Sequence, residues 1–269
     1  MVNVFSFCLY GAYNPRYYDG MIQNIELAQR YFPDWKVYIY IAPDIESWFI
    51  SLLRQYSNIV LFETGITGQK NMIHRFFAID EAGVELMMVR DADSRIHWKD
   101  RWAIRDFLDR KQYVAHTIRD HIDHTAYLLG GLWGLRKSSG LSIRTLYSTY
   151  IENTSLGHRL AHDQNFLMDV VYPLVKSNLL VHYSHAILFQ GEYGIVFPFE
   201  WTGDIFCGKI ETNFIDRPEP KKGVLQLPNV AVRVKDFSTP IEVTTSVPTS
   251  EPSYKMTPTS NILNFLYKK

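Results

Sequence analysis

Two carboxylates stand two residues apart in Arg90-Asp91-Ala92-Asp93-Ser94-Arg95, directly after Val84-Glu-Leu-Met-Met-Val89, an apolar run of the kind that forms a strand buried on both faces. Extended backbone ending there turns both acids toward one cavity. Paired carboxylates attract a hard cation. Mn²⁺ or Mg²⁺ held by one or two of them completes its shell with water and phosphate oxygens, so a diphosphate-bearing substrate is the natural third party. An acidic turn neutralised by Arg90 and Arg95 accounts for the same residues without a metal.

Three further segments carry polar chemistry. From His116 to Trp133 the chain is dense in His, Asp and Arg before the pair Gly130-Gly131, where backbone could approach a ligand closely or adopt positive φ. His121 and His124 in that segment are candidate metal ligands or hydrogen-bonding groups. Asp163 opens an apolar helical stripe of Phe166, Leu167, Val170, Val171 and Leu174, and serves there as an N-cap, a catalytic acid or both. His182 and His185 follow a short apolar strand and are candidates to complete a metal site.

The elements that must position these groups alternate in type. Val4 to Tyr10 reads as a strand; Asn14-Pro15 then opens a helix carrying Tyr18, Met21, Ile22, Ile25 and Ala28. A strand over 35–41, a helix over 45–56, a strand over 59–62 and a helical stripe of Met72, Ile73, Phe76 and Phe77 lead to the strand that ends at Asp91. This rhythm predicts a largely parallel sheet, and such open sheets bind ligands at the carboxyl ends of their strands. Beyond it the chain predicts a helix over 99–110, a short strand over 113–116, a Gly-rich segment over 130–134, helices over 141–151 and 163–175, and a strand over 179–183. From about Asn213 the pattern dissolves into a Pro/Ser/Thr-rich extension, expected to be loosely ordered. The expected division is therefore a main domain over 1–213 and an extension over 214–269.

Composition sets limits. Lys+Arg 28 balances Asp+Glu 28 across 269 residues, leaving no basic field for a nucleic-acid backbone, so a small polar substrate is favoured over nucleic acid. Cys8 and Cys207 are far apart and read as reduced thiols. No run is long enough for a transmembrane segment and no signal-like start is present, which predicts a cytoplasmic protein.

In order and spacing, R-D-x-D-S-R at Arg90–Arg95, R-D-H-x-x-H at Arg119–His124, G-G-x-W-G at Gly130–Gly134 and H-D-Q-x-F-L at His162–Leu167 resemble viral and bacterial glycosyltransferases of the GT-A type. His74 to Asp80 is similar to the helix that carries an arginine toward the nucleotide diphosphate in those enzymes. The resemblance covers residues 1 to about 210. It implies a GT-A fold, a Rossmann-like mixed and mainly parallel sheet flanked by helices, and transfer of a hexosyl or pentosyl unit from a UDP- or GDP-linked donor to a hydroxyl acceptor on a glycan. Asp93, helped by Asp91, would hold Mn²⁺ or Mg²⁺, with His182 as the C-terminal metal ligand. Gly130 and Gly131 would face the donor and acceptor sugars, and Asp163 would be the acidic catalytic residue. Arg75 or Lys70 would stabilise charge growing on the diphosphate, while Asp44, with Tyr10 and Gly11 beside it, would bind base or ribose. His162 departs from the family pattern, which often has an acid there. Two other readings remain: a haloacid-dehalogenase-like phosphotransferase, although its D-x-D normally follows the first strand, and a carbohydrate-binding protein without catalysis.

Overall fold

The computed structural model describes residues 1–153, 162–185, 188–199, 205–211, 213–217 and 219. The Pro/Ser/Thr-rich stretch of the extension lies outside them.

The described residues form the mixed, mainly parallel sheet flanked by helices that the sequence predicts. Its strands are β1 (Val2–Leu9), β2 (Lys36–Ile41), β3 (Ile59–Glu63), β4 (Val84–Arg90), β5 (Ala115–Arg119), β6 (Leu132–Arg136), β7 (Leu179–Tyr183) and β8 (Tyr193–Val196). They lie in the order β3-β2-β1-β4-β6-β5-β7-β8. β6 pairs antiparallel with both β4 and β5, whereas the other pairings are parallel. The chain moves outward from β1 to β2 and β3, then returns to place β4 on the other side of β1. β1 and β4 therefore flank the point where the strand order reverses, the crevice in which open α/β sheets bind ligands.

Period-two alternation sends β1 side chains to two cores. Val4 and Cys8 face one, and Phe5, Phe7 and Leu9 the other; β4 divides likewise into Met87 and Val89 against Leu86 and Met88. Helices α1 (Pro15–Tyr31), α2 (Ser47–Leu53) and α3 (Trp98–Asp109) are accompanied by the second core. The first is closed by the segment Gly68–Asp80, by α4 (Ile143–Asn153), and by α5 (His162–Phe166), which runs through a π-helical turn, Leu167–Val171, into α6 (Tyr172–Val175).

Three differences from the sequence reading bear on function. Gly68–Asp80 is a 3-10 helix, not a regular α-helix. Within it Asn71 donates to the carbonyls of Leu9 (3.0 Å) and Tyr40 (3.2 Å), pinning the segment across the ends of β1 and β2. The Gly-rich segment supplies strand β6, and β8 adds an edge strand. Among the described residues past Asn213, Asp216 accepts from Arg30 (2.5 Å) and Tyr31 (2.6 Å) of α1, and Glu219 pairs with Arg101 of α3. No described helix is long and apolar enough to cross a membrane.

Candidate active site

Asp91 follows the last residue of β4, and its loop is built from α1. Asn24 donates to Ser94 O (2.7 Å) and accepts from Ile96 N (2.9 Å). Gly20 lies so close that a β-carbon there would meet Ala92 O at 2.2 Å, which accounts for a glycine inside a helix that it otherwise weakens by about 1 kcal/mol. Ser94 also forms an antiparallel bridge with Ile210, and Glu211 N donates to Asp93 O (3.0 Å). The loop is thus held on two sides.

Arg75 reaches this loop from the 3-10 segment, whose backbone is fixed to β1 by Ser6 Oγ donating to Arg75 O (2.6 Å). Its Nη1 donates to Asp91 Oδ1 (2.5 Å) and its Nη2 to Asp163 Oδ2 (3.1 Å). The Arg75 and Asp163 side chains are each 5% exposed, whereas that of Asp91 is 42% exposed. Burial works against the Arg75 charge, but Asp91 and Asp163 offset it and the guanidinium stays protonated. Burial raises the Asp91 carboxyl; Arg75 opposes that rise, while Asp93 and Asp163 reinforce it. Burial likewise pushes the Cys8 thiol, beneath Arg75, up to about 12, so it is no nucleophile.

The two glycines join this cluster by close approach, with no positive φ at either. A β-carbon on Gly131 would lie 2.0 Å from Asp91 Oδ2, and one on Gly130 would lie 2.9 Å from Arg75 Nη2. Gly130 N–H donates to Gln164 Oε1 (3.0 Å), and Gln164 Nε2 donates to Leu128 O. Gln164 therefore fixes the glycine loop against α5, a role the sequence reading did not single out. The Gly130 N–H is engaged by that side chain.

Apart from the histidines, the remaining predicted residues lie around the ends of two strands, β1 and β2. Tyr10 lies within electrostatic reach of Cys8, Arg75 and Asp163, and burial pushes its phenol up to about 12. Gly11 O accepts from Tyr18 (2.9 Å), Asp44 is exposed in the turn after β2 with its charge acting on Tyr18, and Lys70 is exposed with its charge acting on His162. His162 itself is buried, and its Nε2 has no hydrogen-bond partner among the described residues. These groups ring the ends of β1 and β2.

His182 stands apart from them. It lies within β7, its Nδ1 paired with His116 Nε2 (2.8 Å) and its Nε2 with Asp106 (3.1 Å). With both ring nitrogens engaged in a fully buried chain, it is not placed as a third ligand beside Asp91 and Asp93. His121 and His124 close the turn after β5, where their Nδ1 atoms accept from Asp123 N (3.2 Å) and Asp120 N (3.0 Å).

Other motif residues turn into the core as ion pairs. Arg90 Nε meets Asp100 (2.9 Å), Lys99 meets Asp120 (2.7 Å), and Arg119 meets Glu192 (2.6 Å) with neither side chain exposed. His97, Asp100 and Cys207 bring three metal-ligand atoms together. That group does not suit a cation. His97 Nδ1 accepts from Lys99 N (3.2 Å), which leaves the proton on Nε2, and Asp100 is already neutralised by Arg90.

Besides Gln164, one more residue at the site went unnoticed in the sequence. Arg16, in the first turn of α1, donates to Asp93 Oδ2 from both Nε (2.9 Å) and Nη2 (2.5 Å). A cation at a helix N-terminus opposes the helix dipole. That local conflict, in Asn14-Pro15-Arg16, was the available signal.

No protein-family model matches the chain, and no curated protein matches it. Among solved structures it is similar to a glycosyltransferase involved in glycosylation of the major capsid of PBCV-1 (TM-score 0.46, 15% identity, covering 68% of this chain and 82% of that one). It is similar to 4-diphosphocytidyl-2C-methyl-D-erythritol synthase from Anaerococcus prevotii (TM-score 0.46, 11% identity, 68% and 86%). It is also similar to a mannosyltransferase from Pyrobaculum calidifontis in complex with GDP-Man and Mn²⁺ (TM-score 0.46, 14% identity, 78% and 56%). Likeness of this degree assigns no function.

Proposed function

We propose that the chain is a GT-A glycosyltransferase that moves a sugar from a UDP- or GDP-linked donor to a hydroxyl group of a glycan acceptor. The observation that carries this reading is the convergence of Asp91, Arg75, Gly131 and Asp163, from four separate stretches of chain, at the crevice between the ends of β1 and β4.

The donor set suits Mn²⁺ or Mg²⁺. Asp91 is a partly open hard-oxygen ligand, and both Arg16 contacts to Asp93 fall on one oxygen, Oδ2. Asp91 and Asp93 would hold the ion, which would supply positive charge against the departing diphosphate. Arg75, buried and held by two carboxylates, would add a fixed positive charge that needs no reorganisation as the leaving group becomes negative. Arg75 occupies Oδ2 of Asp163. The carboxylate would then take the acceptor proton in an inverting reaction, or oppose the electron-poor sugar carbon in a retaining one. Asp44, Tyr10 and Gly11 would receive base and ribose, with Lys70 at the outer edge. Asp120 is enclosed by Lys99, Ser184 and Cys207 N and does not substitute for Asp163.

The test is a panel of nucleotide sugars with Mn²⁺, read as free nucleoside diphosphate. Release from one donor, absent in Asp163→Asn, is expected. Failure to turn over any donor while phosphate is released from a phosphomonoester would replace this reading with phosphoryl transfer.

A further inference from the structure

The two arginines at the crevice are held differently. Arg75 is 5% exposed and bonded to two carboxylates at once. Arg16 is 37% exposed and meets one carboxylate, that of Asp93, whose side chain is 12% exposed. Arg16 stands at the start of α1, where Asn14 Oδ1 accepts from its backbone N (3.0 Å), and its guanidinium lies 5.3 Å from the centre of the Tyr17 ring. Its backbone is anchored, and its side chain has solvent on one side into which it can turn.

Charge at the site is nearly closed. Asp91 and Asp163 bond to Arg75, Asp93 bonds to Arg16, and the charge of Arg95 also acts on Asp93, so three carboxylates lie among three guanidinium groups. A divalent ion approaching Asp93 therefore meets a carboxylate already neutralised, and the fork of Nε and Nη2 on Oδ2 must be loosened for the ion to gain its full charge.

We propose that Arg16 is an exchangeable counter-ion of Asp93: it holds the carboxylate while no divalent ion is bound, and passes to a phosphate oxygen of the nucleotide when the ion takes its place. This rests on the metal reading above. Its consequence is ordered loading. The ion alone must displace a cation with nothing to receive it, whereas an ion arriving with a nucleoside diphosphate brings the anion that accepts the freed guanidinium, since arginine pairs with phosphate as readily as with carboxylate. Ion and nucleotide then strengthen each other's binding reciprocally.

The experiment titrates Mn²⁺ into the full chain and follows the free-ion signal by electron paramagnetic resonance, with and without UDP or GDP, for the wild type, Arg16→Ala, Arg16→Gln and Arg16→Lys. Circular dichroism checks that each variant is folded. The wild type is expected to bind Mn²⁺ weakly alone and much more tightly with one of the nucleotides. Arg16→Ala and Arg16→Gln are expected to bind Mn²⁺ alone about tenfold more tightly than the wild type, as loss of one competing charge dictates, and to lose most of the strengthening by nucleotide. Arg16→Lys keeps the charge and should stay near the wild type. If the wild type binds Mn²⁺ with nucleotide but the two neutral variants bind the bare ion no more tightly than it does, Arg16 is a fixed support for Asp93 and the proposal fails while the metal reading stands. If the wild type binds no Mn²⁺ with either nucleotide, the metal reading falls and takes this one with it.

Discussion

Arg75 and Asp163, 88 positions apart in sequence, meet at 3.1 Å with both side chains almost fully buried. The sequence reading leaves Asp163 as a helix cap, a catalytic acid or both, and in the capping role Asn is an equal substitute. The ion pair changes that expectation. Asp163→Asn leaves Arg75 with Asp91 as its one charged partner, so unfolding free energy should fall by roughly 2 kcal/mol, the scale of a hydrogen bond to a charged group. Turnover should fall on the order of a hundredfold with donor affinity much less affected. Urea unfolding and donor kinetics on the same protein check both, and a stable variant with wild-type turnover leaves Asp163 without a role.

Asp93→Ala separates metal chemistry from folding. Its partly exposed pair with Arg16 contributes about 1 kcal/mol or less, so the melting temperature should change little. Transfer should drop on the order of a hundredfold or more. Full activity of this variant, or of the wild type in excess chelator, removes the metal from the mechanism.

Gly131→Ala places a methyl group where Asp91 Oδ2 now lies, 2.0 Å from the new carbon. The carboxylate must swing away or β6 must shift from β4, at a cost of about 1–3 kcal/mol. Because Asp91 is the more open of the two, it should move, so Mn²⁺ affinity in the presence of nucleotide should fall while the circular dichroism spectrum is kept. A variant with unchanged Mn²⁺ affinity would place Asp91 outside the ion's shell.

Stability should fall on mild acidification. Burial lowers the pKa of His116 well below its ordinary value, lowers that of His182, and lowers that of His124 to about 4. Between those folded values and the unfolded value near 6.5, the unfolded chain binds protons that the folded chain refuses, so stability is full above about pH 6.5 and declines below it. Melting temperatures from pH 8 to pH 5 should be level at first and then drop. A rise over the lower half of that range would mean these histidines are protonated in the folded protein.

Strands β1, β2 and β4 were legible because parallel strands covered on both faces leave apolar runs, and the edge strand β3 from its short β-branched run between turn residues. β7 was read at its full length for the same reason. β6 was not: Leu132-Trp-Gly-Leu-Arg136 is short, and its glycine suggested a loop, although Gly134 is required where a β-carbon would meet Met88 Sδ at 2.2 Å. The 3-10 segment was read as an ordinary helix because spacings of three and four residues over 13 positions do not separate the two periods. Asp91, Asp163 and Arg75 each stood out in the sequence as polar residues beside apolar elements, but their mutual contacts were not legible, since those depend on how β6 returns past β4. His182 was read as a ligand at the end of an apolar strand, and nothing in the sequence signalled that its ring nitrogens meet His116 and Asp106.

The reversal of β6 also sets an order in time. Arg75 and Asp91 belong to the half of the sheet whose strands β1 to β4 are contiguous in sequence, and their pairing closes a loop of modest length. Asp163 comes from the other half, and reaches Arg75 only after β5 and β6 have been laid down and α5 has docked. Contacts of long sequence separation form late because loop closure must precede them. During refolding, recovery of the helical signal should therefore run ahead of recovery of turnover, and a chain arrested before α5 docks would carry Arg75 and Asp91 already joined, with no carboxylate yet in place across from them.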